Sequence, residues 1–203
     1  MFQQMINGSI AVLTRPSAST FEEHEQNNLG WALIYSLIAG AINAVIAWIG
    51  SILFPQEIPV FEPGMEAAQP GLFALIFGTL IGTVIFLLIY WGVVYLLGRA
   101  FGGTGEFGEL AYGFALFSAP LAVISSVGGI IPLVGGFIAF AVWIYSLYLT
   151  YLAIQSGMNL PANKALYVIL ILFAIVLAIA LCVGIFFAAI IAAILGASGG
   201  FSP

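Results

Sequence analysis

From Ala165 to Leu195 the chain runs without a single charged residue. A helix needs about 20 apolar residues to cross the hydrocarbon core of a bilayer, and this run exceeds that length. Four more charge-free runs precede it: Leu29 to Phe54, Gly71 to Leu97, a shorter one from Leu110 to Val127 that contains Pro120, and Ile131 to Ile154. Water is the wrong solvent for such a chain. Soluble domains devote about a quarter of their residues to charge, whereas this one is 5% charged and 63% hydrophobic. In water its apolar exterior would aggregate; lipid tails accept it.

Inside lipid every backbone polar group must be paired within the protein, which leaves helices or closed barrels. Barrel strands alternate inward and outward over about 10 residues, and these continuous runs do not. The expected fold is therefore all-α, a polytopic membrane bundle of five transmembrane helices. Residues 1–28 form a short N-terminal segment, 29–195 the membrane domain with spans at about 29–54, 71–97, 110–127, 131–154 and 165–195, and 196–203 a tail. A break at Gly184 would give six spans, but each half of the last run would then be too short.

The three basic residues set the expected orientation. With five spans, Arg15, Arg99 and Lys164 fall on one side, while the long loop PQEIPVFEPGMEAAQP on the other carries three glutamates. Positive residues favour the cytoplasm, so the N-terminus is expected inside and the C-terminus outside. Residues 155–164 then form a cytoplasmic turn. Pro161 suits the first turn of the last helix, with Asn159 or Asn163 as its cap. Tyr90, Trp91, Tyr95, Tyr148, Tyr151, Tyr167 and Trp31 resemble an aromatic belt at the headgroup level. Before the first span, Ser19 with Glu22, or Thr20 with Glu23, fits a capping box that opens a short polar helix. Residues 1–13 lack the basic face of an interfacial anchor and are expected to be loosely ordered or to rest at the interface.

A formal charge of −5 argues against nucleic-acid binding, which wants a basic stripe, and against electrostatic adhesion to anionic lipid. Catalysis is poorly supplied. There is one histidine, His24, one cysteine, Cys182, and no aspartate. Neither a zinc site of usual composition nor a Ser-His-Asp triad can be assembled, so no catalytic, cofactor-binding or metal-binding residue is assigned and no enzyme is expected. The span centres also lack the ionisable groups that mark transporters and proton relays. Asn43, the only amide at depth, is expected to face another helix as packing glue. Trp143 is expected to aim its N–H into the bundle. The pair Gly78 and Gly82, the glycines 135 and 136, and the alanine pairs of the last run permit close helix approach. They are read as intramolecular packing surfaces, with a homodimer as the alternative.

Several stretches together resemble the Yip (Ypt-interacting protein) domain family. Residues 13–46, LTRPSASTFEEHEQNNLGWALIYSLIAGAINAVI, are similar to its N-terminal signature: a Pro soon after a basic residue, a short polar stretch with Phe, then the first span. The remainder follows in order: Gly102-Gly103-x-Gly105-x-Phe107, Tyr112-Gly113-x-Ala115, Pro120, Ile131-Pro132-x-Val134-Gly135-Gly136, Trp143-x-x-x-Leu147-Tyr148, and Leu160-Pro161-x-x-Lys164-Ala165. The resemblance implies five spans with a cytoplasmic N-terminus, which agrees with the charge count. It also implies a non-enzymatic adaptor. Eukaryotic members bind Rab-type GTPases through a longer cytoplasmic region with an acidic Tyr-Gly-Pro motif. Neither feature occurs here, so GTPase binding is not carried over. The short form is similar to prokaryotic members, which places it in a multi-pass plasma (inner) membrane setting.

The expected partners are the lipid bilayer and another membrane protein or a second copy of the chain. Arg99, Glu106, Glu109, Asn159 and Lys164 are the candidate cytoplasmic contacts; Asn43 and Trp143 are the candidate polar contacts within the bundle. The alternative function is a small-solute transporter or channel, expected to require an oligomer because five spans give no obvious pair of equal halves. A continuous cavity past Asn43, Thr79, Thr83, Ser118 and Thr150 would favour it.

Overall fold

A computed structural model describes residues 1–54, 71–131 and 134–197. The long loop with its three glutamates and the last six residues lie outside the described residues. Seven helices follow one another: α1 (Phe2–Thr14), α2 (Ala18–His24), α3 (Leu29–Leu53), α4 (Leu72–Ala100), α5 (Phe107–Gly129), α6 (Val134–Gly157) and α7 (Ala162–Ala197). Helices α3 to α7 are the five apolar runs, each long and apolar enough to cross a membrane. α7 continues unbroken through Gly184.

α5 is the axis of the bundle. Its first half, Gly108 to Leu121, is almost entirely buried, with α3 and α6 packed along its flanks. α4 lies against α3 and α5, and α7 joins α4 and α6. Small residues make the closest approaches. A Cβ on Gly157 would stand 2.8 Å from the Leu110 Cα, and one on Gly135 2.9 Å from the Gly128 carbonyl oxygen. The spans end in identifiable caps. Asn28 accepts the Trp31 N–H at the start of α3. Glu106 and Glu109 form a reciprocal capping box at the start of α5, which satisfies two donors that have no partner in the helix. At the start of α7 the Pro161 carbonyl takes the first N–H groups, and Asn163 accepts the Lys164 N–H.

The N-terminal segment corrects the expectation of loose order. α1 and α2 are integral parts of the fold, seated on the side of α5 opposite α4, over α3 and α6. Met5 and Val12 of α1 and Phe21 of α2 are fully buried. Gly8 lets α1 approach the Leu116 side chain, and Phe21 meets Phe117 edge-on at 6.1 Å. Burial of these side chains, each contributing about 1.5–3 kcal/mol, fixes a helix whose polar outer face gave little sign of it. The cap of α2 is also different: Ser17, not Ser19 or Thr20, accepts the Thr20 N–H at 3.0 Å. Pro16 precedes it and cannot donate, and the helix opens two positions earlier than the first of the two expected boxes.

Two further expectations change. Trp91 is completely buried rather than part of an aromatic belt, while Tyr148 and Tyr167 do face outward. A Cβ on Gly78 or Gly82 would meet nothing within 4 Å, so among the described residues this glycine pair makes no close helix contact. The alanine pairs of α7 are likewise on exposed positions.

Candidate docking face at the basic end of the bundle

The start of α3, the end of α4, the start of α5, the end of α6 and the start of α7 share one end of the bundle. It is called the basic end here because Arg99 and Lys164 lie on it. Its two turns are joined by Met158. The Met158 carbonyl accepts the Thr104 N–H at 3.0 Å, and its side chain, fully buried, fills the space beside Gly98 and Gly103. Glycine is required at 102, where φ is +86°. Asn159, at φ +51°, is the kind of residue that tolerates a left-handed position after a helix.

This turn geometry divides the five candidate contacts into two groups. Arg99 and Lys164, both exposed, converge on the Gly102–Gly103 turn. Arg99 donates to the Gly103 carbonyl at 3.2 Å and stands 5.9 Å from the Tyr95 ring centroid. The Lys164 Nζ is 3.5 Å from where a Gly102 Cβ would be. Asn159 is exposed beside them on the α6–α7 turn. Glu106 and Glu109 belong to a second group, at the start of α5. Their carboxylates are partly engaged: Glu109 accepts the Glu106 N–H at 2.9 Å, and Glu106 accepts from the Asn27 amide.

Three residues not singled out by the sequence complete that acidic group. They are Glu25, Asn27 and Ser156. Glu25 accepts a hydrogen bond from the Ser156 hydroxyl, across 131 positions of chain. Burial raises the Glu25 carboxyl above its ordinary pKa; the Ser156 hydrogen bond opposes this, and the nearby charges of Glu109 and Glu22 add to it. The polar run from Glu22 to Asn28 was visible, but nothing in it indicated that the segment folds back onto α6.

The two intrabundle candidates stand apart. The Asn43 Oδ1 is enclosed and has no hydrogen-bond partner among the described residues. Trp143 is 49% exposed and stacks on Phe140, so it faces sideways out of the bundle. It lines a groove of about 540 Å³ with Ser118, Ser125, Ser146 and Thr150, between α4 and α6. Among the described residues no group of three His, Cys, Asp or Glu side chains is placed to hold a metal ion.

An all-helical bundle with five membrane-length apolar helices, its polar groups gathered at helix ends, defines a multi-pass membrane protein. Residues 10–183 match the family model of the Yip1 domain, and the chain belongs to that family. The matched stretch takes in the last turn of α1, all of α2 to α6 and α7 as far as Val183, so α2 is part of the family's unit. No curated protein matches the chain, and no solved structure does.

Proposed function

We propose that this Yip1-domain chain is a non-enzymatic membrane adaptor that organises other components through contacts at its basic end. The filled centre of the bundle supports this reading most directly. α5 is buried from Gly108 to Leu121 on nearly every side, so among the described residues the centre of the bundle is filled by side chains at that level. The groove beside Ser118 and Thr150 opens laterally and includes neither Asn43, Thr79 nor Thr83. A solute path would need all of these on one cavity.

The docking group is the cation pair Arg99 and Lys164, with Asn159 beside them. Two exposed cations on a rigid turn recognise carboxylate or phosphate groups, Arg99 with a planar donor set and Lys164 as a point charge. In native membranes, crosslinking followed by capture should recover the same partner from wild type at a level that Arg99→Ala and Lys164→Ala each reduce. Purified protein in vesicles should leave them tight to small solutes. Unchanged capture in both variants, or solute flux from the pure protein, overturns the adaptor reading.

A further inference from the structure

The polar boundary of this molecule lies at different depths on its two sides. Three helices locate α1 independently, with depth taken from the helical rise of about 1.5 Å per residue. Gly8 packs on Leu116, about 14 Å along α5 from Phe107. Phe2 and Ile6 share a cavity with Ile42 and Pro120, about 20 Å from the basic ends of α3 and α5. The Leu13 carbonyl meets the Tyr145 hydroxyl, about 18 Å along α6 from Gly157. α1 therefore crosses the flank of the bundle roughly 14–20 Å below the basic end. Half the thickness of a hydrocarbon core is about 15 Å.

At this depth α1 and the turn after it turn a polar face away from the bundle. Gln3, Gln4, Asn7, Thr14 and Arg15 are all exposed, with Ile10 the exposed apolar residue among them and Met1 and Phe2 exposed at the start of the helix. The opposite flank is different. Leu96 on α4 is 69% exposed and Leu166 on α7 48%, each only about 6 Å from the basic end of its own helix. A flat bilayer placed to cover Leu96 and Leu166 would submerge Arg15 in hydrocarbon, where an isolated guanidinium is strongly disfavoured. The two boundaries differ by about 8–14 Å.

We infer that phospholipid headgroups of the basic-end leaflet descend onto α1, so that the bilayer is thinned on this flank alone. Asn7, Ile10, Ala11, Thr14 and Arg15 line one shallow concavity. A lipid phosphate seats there on Arg15, with the Asn7 amide N–H as a neutral donor; the Thr14 hydroxyl beside it donates to the Ile10 carbonyl. Lipid is the occupant because the apolar surfaces of α4 and α7 already require a bilayer around the bundle, and Arg15 supplies the charge complementary to a phosphate. Thinning beside a short apolar flank is the ordinary response of a bilayer to mismatch. The shelf is a property of the fold and does not depend on the adaptor reading.

The test places single cysteines at Asn7, Thr14 and Ile89 in a Cys182→Ala background. Ile89 is exposed on α4 at a similar depth, about 17 Å from Ala100. Each protein is reconstituted into leaky phosphatidylcholine vesicles and treated with a charged maleimide. Cysteines at 7 and 14 should react at least ~10-fold faster than the one at 89, because water and headgroups reach only the α1 side. Equally slow labelling at all three positions overturns the shelf. So does protection at 7 and 14 accompanied by crosslinking between copies, which would make a second chain the occupant. A second arm needs no cysteine at α1. Lengthening the acyl chains should lower the unfolding temperature of wild type, and Arg15→Leu should remove most of that dependence. The same dependence in both proteins also overturns it.

Discussion

The Tyr145 hydroxyl donates to the Leu13 carbonyl at 2.7 Å, across 132 positions of chain. Leu13 lies in the last turn of α1, where carbonyls have no partner within the helix. A side chain from α6 thus closes the end of α1 and ties the N-terminal hairpin to the span. Tyr145→Phe keeps the ring and removes only this bond. Thermal unfolding in detergent should show a loss of about 0.5–1.5 kcal/mol. Amide exchange should rise at the end of α1 and not in α5. An unchanged exchange pattern would show that the hairpin is held by Met5, Val12 and Phe21 alone.

The second prediction concerns Glu25, which couples the segment after α2 to α6 through Ser156. Its carboxyl is shifted upward, chiefly by burial. A group whose folded pKa is raised binds its proton more readily in the folded state. Stability linked to it is fully present below the unfolded value, near 4.5, and is lost as pH rises through the folded one. Wild type should therefore melt at a higher temperature in mildly acidic than in neutral buffer. Glu25→Gln, which stays neutral, should flatten that slope and match or exceed wild type at neutral pH. A slope retained in full by Glu25→Gln would assign the pH dependence to other groups.

How far the sequence reaches is itself a matter of solvent. The spans were legible because the hydrocarbon core imposes a minimum length on every apolar run, and all five helices lie within a few residues of the expected bounds. Helix ends extended past those bounds, as at Phe107, because polar caps such as Glu106 and Glu109 sit in the headgroup zone, where hydropathy stops reporting on helicity. α1 was misread for a related reason. Its buried side consists of Met5, Gly8, Ser9 and Val12, a stripe too narrow and too small to register as an amphipathic anchor, and its significance depends on Leu116, more than a hundred positions away. At the basic end, the cations Arg99 and Lys164 and the carboxylates Glu106 and Glu109 could be named from type and loop position. Glu25, Asn27 and Ser156 could not, since their pairing is set by how α2 folds back onto α6.

Glycine offers the last test, because the same residue type has opposite roles in two helices. At Gly157 a Cβ would collide with the backbone of Leu110, 2.8 Å away at Cα and 3.1 Å at N. Backbone cannot rotate aside, so Gly157→Ala must push α6 from α5 at their tightest approach. Overpacking of this kind costs about 1–3 kcal/mol. At Gly78 and Gly82 the added Cβ meets nothing, and alanine is the better helix former by about 1 kcal/mol. In detergent, Gly157→Ala should lower the unfolding temperature, whereas Gly78→Ala with Gly82→Ala should leave it unchanged or raise it. If the double α4 variant instead loses stability, and does so in proportion to protein concentration, that glycine face is buried against a second copy. The inverse pattern, a neutral Gly157→Ala, would mean that α5 and α6 lie farther apart than the structure places them.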